Sequence, residues 1–347
     1  MARPTGAARK WLAGTALMAT LMATLAACGT TSGSSRTTLI LYNGQHPQTT
    51  DSLVSAFEKR TGIQVEVRSN DEDVLADQIV EEGTASPADL IYTENSPALE
   101  YLQGKKLLAS VPGSTLAHVA SKYNSPTSDW VGVSARVSVL VYNTQMLKPS
   151  QLPSSVMSLA DPQWQGLLAI APGETDFQPI ITSIARTYGR AAALKWLEGV
   201  KANASQHVYP DNETISARVN SGQAAIGIIN HYYWYRLRAE IGATQTHSAI
   251  AYFAPRNPGY VLDVSGAAVL KSSKHQVAAR QFLAFLVSRQ GQEILAHSDS
   301  FEYPLGSGVV TAKALRPFSR LQPAPLTLAD LGDGAEAVAL LHQAQLL

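Results

Sequence analysis

The chain has 347 residues, with 27 Lys and Arg against 27 Asp and Glu, and a single cysteine. A net charge near zero gives no sign of the basic surface that neutralises phosphates, so we expect no nucleic-acid partner. One cysteine cannot form an intramolecular disulfide, nor a Cys-rich zinc or iron–sulfur site. The length predicts roughly two domains of about 150 residues each.

The amino terminus has the pattern of a secretory signal peptide. Three basic residues among the first ten precede an apolar run from Trp11 to Ala27, in the order of a charged region followed by a hydrophobic one. This run is short for a helix that crosses a hydrocarbon core of about 30 Å. We therefore expect residues 1–27 to be removed, which leaves 24 basic and 27 acidic residues and a charge of about −3.

The residues after the apolar run indicate a lipid anchor. Leu25-Ala26-Ala27-Cys28 resembles the bacterial lipobox, in which the cysteine thiol receives a diacylglycerol. Residues 28–37 are rich in Gly, Ser and Thr and are expected to form a flexible tether. The sequence thus predicts a protein that is lipid-anchored at Cys28 on the extracytoplasmic face of the cell membrane.

From Thr38 onward, predicted strands and helices alternate. A helix is expected after the capping residues Thr50 and Asp51, closed by Gly62, and a second helix over about Asp73–Glu82. The three apolar strands that surround these helices are Leu39–Tyr42, Ile63–Val67 and Asp89–Tyr92. Such a βαβαβ series requires a parallel sheet. The common strand order 2-1-3 would make the first and third strands neighbours.

A second α/β series begins near Val137. Its predicted strands are Ser138–Tyr142, Leu167–Ile170 and Ala224–Ile229. Its predicted helices are Phe177–Tyr188, Ala191–Val200, Thr214–Asn220 and one that opens at about His231. A strand at Leu262–Leu270 follows, then an amphipathic helix, and the last helix is expected at Ala335–Gln345. The buried stripe predicted for that amphipathic helix comprises Val277, Phe282, Phe285 and Leu286.

This alternation predicts an α/β protein of two lobes. The strand near Leu262 is expected to return to the first lobe, so that two extended crossovers form a hinge. Lobe 1 would then comprise residues 38–137 and 263–310, and lobe 2 would comprise residues 138–262 and 311–347 with the C-terminal helix.

Candidate functional residues follow three strand ends, where open parallel sheets bind ligands. His46 follows the first strand, Glu94 follows the third, and Tyr232 and Tyr233 follow the strand that ends near Ile229. With strand order 2-1-3, His46 and Glu94 would face the same cleft. Each residue alone has a structural explanation, since four aromatic residues in a row most often pack in a core.

Taken together, these side chains favour a hard, highly charged cation. One imidazole, one carboxylate and two phenolates would carry a charge of −3, and hard oxygen donors select hard cations. Free tyrosine has a pKa near 10, so metal binding must displace two protons, which a trivalent ion does more readily than Ca²⁺ or Zn²⁺. The set points to ferric iron, with about two coordination positions left for water or an anion.

Several segments resemble the ferric-ion-binding periplasmic proteins of bacterial ABC importers, often called bacterial transferrins, which are extracellular solute-binding proteins. The segments are Tyr42-Asn43-Gly44-Gln45-His46, Ser86-Pro87-Ala88-Asp89 with Glu94, Asn230-His231-Tyr232-Tyr233-Trp234, and Ser265-Gly266-Ala267-Ala268-Val269-Leu270. The similarity runs from about Thr38 to the end of the chain. The paired tyrosines followed by tryptophan are its most specific element.

The resemblance implies a type II periplasmic-binding-protein fold, with two α/β lobes, a two-strand hinge and a ligand cleft between them. It implies that His46, Glu94, Tyr232 and Tyr233 bind Fe³⁺ as transported cargo, with a synergistic anion or water and no catalytic cofactor. It further implies a monomer that delivers ferric iron, bare or as a chelate, to an ABC permease and its ATPase. The implied anion site comprises Asn212, Asn230 and Thr175.

One loop departs from the family. Glu174 and Asp176 stand where the family has a small Ser-Gly-Ala loop that cradles the anion. Like charges repel by several kcal/mol in a closed cleft of low dielectric, so phosphate is disfavoured. Either Glu174 or Asp176 points away or caps the helix from Phe177, the cap being our expectation, or one of them replaces the anion and contacts the metal or an amine.

Two rival functions use the same residues. The same fold could bind an organic solute such as an aminophosphonate, thiamine or a polyamine, with the tyrosines as stacking walls. A metallohydrolase with Glu94 as base is the rival from another class, but two phenolates weaken a metal's Lewis acidity. The chain also lacks nucleotide-binding glycine fingerprints and the Gly-x-Ser-x-Gly elbow. We therefore expect a binding protein and no enzyme.

Overall fold

The computed structural model describes residues 37–347. The predicted signal peptide, Cys28 and nearly all of the predicted tether lie outside the described residues. Between residues 37 and 347, no helix is both long enough and apolar enough to cross a membrane.

The described chain alternates strands and helices as predicted. The strands are β1 (Thr38–Asn43), β2 (Gln64–Ser69), β3 (Leu90–Tyr92), β4 (Val131–Asn143), β5 (Leu168–Ala169), β6 (Ile226–Asn230), β7 (Ser248–Ala251), β8 (Leu262–Val269) and β9 (Tyr303–Pro304). The helices are α1 (Pro47–Thr61), α2 (Glu72–Glu82), α3 (Ser96–Gly104), α4 (Gly113–Leu116), α5 (Gln178–Tyr188), α6 (Arg190–Ala204), α7 (Asn212–Asn220), α8 (His231–Ile241), α9 (Gln276–Leu286), α10 (Arg289–His297), α11 (Leu328–Leu331) and α12 (Ala335–Gln343).

The first part of the sheet has the predicted strand order. β1 lies between β2 and β3 and pairs with both in parallel, so the order 2-1-3 is confirmed. β8 then pairs antiparallel with β3. The carboxyl ends of β1 and β3 therefore lie side by side, which brings the segments after Asn43 and Tyr92 together.

The long strand β4 connects the two halves of the molecule. Its residues Val131–Val137 pair with β8, whereas Ser138–Tyr142 pair with β6. β7 also pairs with this second half of β4, and β5 extends the sheet beyond β6. The strand changes partner between Val137 and Ser138, where we expect the lobes to meet, but the lobe boundaries themselves remain a prediction.

The start of α1 differs from the expectation. Helix α1 begins at Pro47, and His46 occupies the N-cap position instead of Thr50 or Asp51. Proline fits the first helical position because its missing N–H would have no partner there. Thr50 is instead buried within the helix and donates its hydroxyl to Asn43 Oδ1 at 2.9 Å. Gly62 closes the helix with a φ of 74°, as expected.

Two further expectations need correction. Val277 is 74% exposed and does not belong to the buried stripe of α9, whereas Phe282, Phe285 and Leu286 are buried. Val277 occupies the first turn of α9, before the helix packs onto the core. The helix expected from Phe177 begins as a short 3₁₀ turn over Thr175–Phe177 and becomes α-helical at Gln178.

Candidate functional site

The backbone of His46 is held firmly at the end of β1. Asn43 Oδ1 accepts the Gln45 N–H at 3.3 Å, and Gln45 Oε1 accepts the His46 N–H at 2.8 Å. A Cβ on Gly44 would lie 2.5 Å from Glu72 Cβ, so glycine is required for this loop to pack against α2. These contacts direct the imidazole into the cleft.

Glu94 is held by the strand beside it. The Thr93 N–H donates to Gly266 O at 2.9 Å, and the Ser265 hydroxyl donates to Thr93 O at 2.6 Å. Ser265 also accepts a hydrogen bond from Gln45 Nε2 at 2.9 Å. Ser265 and Gly266 of β8 therefore hold the loop that carries Glu94, and Ser265 also connects it to the loop that carries His46.

Tyr232 and Tyr233 occupy the first turn of α8, directly after β6. Both residues are buried, and their ring centroids lie 4.2 Å apart. Adjacent helical side chains diverge by about 100°, yet both hydroxyls reach one carboxylate. Tyr232 donates to Glu94 Oε1 in a short contact, and Tyr233 donates to the same oxygen at 3.3 Å.

The four predicted side chains converge on one point. His46 Nε2 lies 3.1 Å from Glu94 Oε1 and 3.4 Å from the Tyr232 hydroxyl. An octahedral ion with bonds of about 2.0–2.1 Å holds neighbouring donor atoms about 3 Å apart. His46 Nε2 therefore lies at the distances from Glu94 and Tyr232 that donors around a single small ion have.

Asp176 contributes an additional carboxylate to this point. Its Oδ2 accepts from the Tyr232 hydroxyl at 3.3 Å and from Asn212 Nδ2 at 3.1 Å, and its Oδ1 accepts from Asn95 Nδ2 at 2.9 Å. The expected helix-capping role is wrong, because neither Glu174 nor Asp176 caps the helix with its side chain. The loop instead turns Asp176 toward the tyrosines.

The residues predicted to bind an anion, and Glu174, lie at different places around the cleft. Asn212 contacts Asp176, and the Thr175 hydroxyl accepts from Asn95 Nδ2 at 3.2 Å. Asn230 is buried at the N-cap of α8 but makes no capping bond with its side chain. Glu174 is partly exposed and lines a cleft of about 470 Å³ together with His46, Glu94 and Tyr233.

A metal site at this place requires the two phenols. Among residues 37–347, no group of three or more His, Cys, Asp and Glu side chains is arranged to hold a metal ion. The His46 imidazole and the nearby carboxylates form a complete set of metal donors only together with the hydroxyls of Tyr232 and Tyr233. The chemistry of the cleft is therefore set by oxygen donors, with one nitrogen.

Comparison with known proteins identifies the family. The model of the bacterial extracellular solute-binding proteins matches residues 85–325. The chain belongs to this family. Its curated relatives include the Fe(3+)-binding periplasmic protein of Serratia marcescens, which is 38% identical over 96% of this chain and 97% of the relative. The major ferric iron-binding protein of Neisseria meningitidis serogroup A is 37% identical over 93% of this chain and 97% of the relative.

Solved structures of relatives have the same architecture. Iron-bound HitA from Pseudomonas aeruginosa superposes with a TM-score of 0.85 at 42% identity, over 89% of this chain and 99% of that one. The Trichodesmium protein IdiA (FutA), solved with iron and citrate, has a TM-score of 0.76 at 28% identity, over 88% and 99% of the two chains. The predicted two-lobed, type II periplasmic-binding-protein fold is confirmed, as is the prediction of a binding protein and not an enzyme.

In this solute-binding protein, the acidic groups of the cleft have strongly perturbed pKa values. Burial opposes ionisation of Glu94, but the His46 charge and its hydrogen bond, with Arg136 and Arg236, lower the pKa of Glu94 to about 2. Burial and the Glu94 charge raise the pKa of Asp176 to about 7. Burial and the charges of Asp176 and Glu94 raise the pKa of Glu174 to about 10.

The tyrosine and histidine of the cleft are also perturbed. Burial and the neighbouring carboxylates, led by Asp176, raise the pKa of Tyr233 well above 10. Burial alone would lower the pKa of His46, but the Glu94 charge raises it above 6.5. Glu94 is therefore ionised, whereas Asp176, Glu174 and Tyr233 resist ionisation beside it. A highly charged cation would relieve this repulsion between acidic groups.

Two arginines lie against the faces of the Tyr232 ring. The Arg236 guanidinium carbon is 4.4 Å from the ring centroid, and that of Arg136 is 5.6 Å away. All three Arg236 side-chain nitrogens are buried and have no hydrogen-bond partner among the described residues. Positive charge over the ring favours an electron-rich phenolate.

Sequence reasoning missed Asn95, Glu72, Arg136 and Arg236 as members of the site. Arg136 carries a detectable signal, because it is the one charged residue in the apolar strand β4, and a buried charge requires partners. Asn95 directly follows Glu94 in a segment that the strand-end rule selects, but the sequence gives it no role of its own. Glu72 and Arg236 lie on helices, and their sequence context gives no comparable signal.

Proposed function

We propose that this protein captures Fe³⁺ in the cleft between its two lobes and delivers it to the permease and ATPase of an ABC importer. The convergence of His46, Glu94, Tyr232 and Tyr233 within 3.4 Å of their neighbours carries this proposal. Ferric iron is the cargo and not a resident cofactor. The relatives named as ferric binding proteins support this assignment.

We further propose that Asp176 takes the place of the synergistic anion. Asn95 and Asn212 direct their amide N–H groups at its carboxylate, as two such amides would hold a free anion. With both phenols ionised, Glu94, Asp176, Tyr232 and Tyr233 would supply four negative charges. Such a set favours Fe³⁺ over divalent ions and makes an added phosphate unnecessary.

The organic-solute alternative predicts a different arrangement of the tyrosines. A stacking wall presents its ring face to the ligand, whereas Tyr232 and Tyr233 present their hydroxyls to Glu94. Two arginines already lie over the Tyr232 ring. The geometry therefore favours a metal ion over an amine or a thiamine-like ring.

Calorimetry separates the two functions. Metal-free protein is titrated with ferric citrate and, separately, with spermidine, and both titrations are repeated on Tyr232→Phe. We expect ferric binding that falls at least about 100-fold in the variant, because a direct ligand contributes more than an outer-shell partner. Spermidine binding that survives the substitution would contradict the iron assignment.

The anchor and the delivery step complete the proposal. Cleavage after residue 27 and lipidation of Cys28 would hold the monomeric protein on the extracytoplasmic face of the membrane, next to the permease. Acidification would release iron because the phenolates and carboxylates regain protons. Reduction to Fe²⁺ would release it because this ligand set prefers the trivalent ion.

A further inference from the structure

Asn95 connects the two halves of the molecule without any metal. It follows β3, and its side chain donates from Nδ2 to Asp176 Oδ1 at 2.9 Å and to the Thr175 hydroxyl at 3.2 Å. Asp176 and Thr175 follow β5, on the other side of the point where β4 changes its pairing partner. Asn95 is 1% exposed, so this hydrogen bond is shielded from water.

The orientation of the Asn95 carboxamide is set by charged neighbours. Glu72 accepts the Asn95 backbone N–H at 2.8 Å. Glu72 Oε1 also lies 3.1 Å from Asn95 Nδ2, whose two hydrogens are shared among Glu72, Thr175 and Asp176. Arg136 Nη1 donates to Asn95 Oδ1 at 3.3 Å. The carboxamide oxygen therefore faces a guanidinium and its nitrogen faces carboxylates, which aims a donor at Asp176.

Arg136 links this contact to the strand that joins the halves. It lies on β4, one residue before Val137, and its guanidinium pairs with Glu302 at 3.0 Å. Both side chains are fully buried. A buried pair of this kind is costly to break by removing one partner, so Arg136 is a rigid support for the Asn95 oxygen.

We propose that Asn95 is a positioning residue that latches the cleft closed before cargo binds. Its amide holds Asp176 in the orientation that faces Tyr232 and, at the same time, favours the closed arrangement of the two halves. A hydrogen bond to a charged, buried acceptor shifts an equilibrium by roughly tenfold to a hundredfold. The latch therefore sets how much of the metal-free protein is already preorganised, and it does so whatever the cargo is.

Hydrogen exchange on the full-length, metal-free chain tests this latch. The reporter amides are those of residues 173–177 and 231–234. Residues 231–234 begin α8, where the first N–H groups lack intrahelical acceptors and depend on burial for protection. We expect Asn95→Ala to speed exchange at both segments by about tenfold or more, because opening of the cleft exposes them.

Asn212→Ala is the matched control. Asn212 also donates one amide hydrogen bond to Asp176, at 3.1 Å, but from the same half of the molecule. Asn212→Ala therefore removes a similar hydrogen bond to Asp176 but none between the two halves. We expect the exchange rates of the reporter amides to stay within about twofold of those in the parent chain. Asn95→Ser provides a second latch variant if Asn95→Ala fails to fold by circular dichroism.

Two results would overturn the proposal: parental exchange in the Asn95 variants, or equal acceleration in the Asn95 and Asn212 variants. The first would mean that closure does not depend on this bond, and the second that its loss acts only through local loosening of Asp176. Because no metal is present, a failed iron assignment leaves the measurement unchanged.

Discussion

Asp176 and Tyr232 meet at the carboxyl ends of two neighbouring parallel strands, β5 and β6, with Asp176 Oδ2 3.3 Å from the Tyr232 hydroxyl. A carboxylate and a phenol at this distance compete for a proton until a cation binds both. The same carboxylate accepts two asparagine amides. This relationship connects the unusual loop of the chain to the function proposed for it.

Replacement of Asp176 should make iron binding depend on an added anion. Asp176→Ser leaves Asn95 and Asn212 in place but removes the charge that they hold. We expect ferric affinity without phosphate to fall by at least about 100-fold and millimolar phosphate to restore most of it. The parent chain serves as the control, and its affinity should not respond to phosphate. A variant that phosphate does not rescue would contradict the built-in anion.

The stability of the metal-free protein should fall as the pH rises from 6.5 to 9. The pKa of Glu174 is raised to about 10 from 4.5, so the stability it contributes is complete below 4.5 and is lost as the pH rises toward 10. Asp176 and His46 act in the same direction. His231 has a pKa lowered to about 3 by burial, so it opposes this trend only below pH 6.5.

Iron should reverse this dependence. Ferric binding displaces protons from the phenols, so the stability of the loaded protein should rise with pH over the same interval. Thermal melting of both forms between pH 6.5 and 9 is the measurement, and Glu174→Gln is the variant that should flatten the metal-free profile. A metal-free protein whose stability rises with pH would disagree with the raised carboxyl pKa values.

Arg236 should strengthen iron binding through the Tyr232 ring. Arg236→Gln removes the guanidinium that lies 4.4 Å from the ring centroid. We expect ferric affinity measured against citrate to fall by about tenfold or more, as for a desolvated cation–π contact. Arg238→Gln is the control on the same helix, since Arg238 lies over Trp234 at 5.3 Å. Equal losses in both variants would indicate a general charge effect instead.

Cys28→Ala should release the protein from the membrane. The lipobox predicts that Cys28 alone carries the anchor, because we expect the apolar run before it to be removed. Fractionation of a bacterial host is expected to move the variant to the soluble extracytoplasmic fraction, while Ser34→Ala in the predicted tether stays with the membrane. Retention of Cys28→Ala on the membrane would contradict the lipid anchor.

The sequence predicts where the cleft lies better than it predicts the hydrogen bonds between the side chains in it. Strand order 2-1-3 and the rule that ligands bind at carboxyl ends of strands place His46 beside Glu94, because both depend on topology. The orientation of Asp176 depends on Asn95 and Asn212, which lie 81 and 36 residues away from it. No local pattern encodes such a contact, so the sequence favours a helix cap, and this prediction is wrong.

The start of α1 and the exposure of Val277 show the same limit at a smaller scale. Thr50 is a residue type that often caps helices, but the helix already begins at Pro47, three residues earlier in the chain. Val277 fits the apolar period of α9 but precedes the part of the helix that packs. Periodicity identifies the helix, whereas packing decides where its buried face begins.

Visible absorption during ferric loading tests the central claim most directly. Metal-free protein is loaded with ferric citrate, desalted without chelator and scanned, alongside Tyr232→Phe, Tyr233→Phe and the double variant. We predict a tyrosinate-to-iron charge-transfer band in the parent chain that weakens and shifts in each single variant and vanishes in the double variant. A colourless parent protein, or a band that survives loss of both tyrosines, would contradict the ferric site proposed for this cleft.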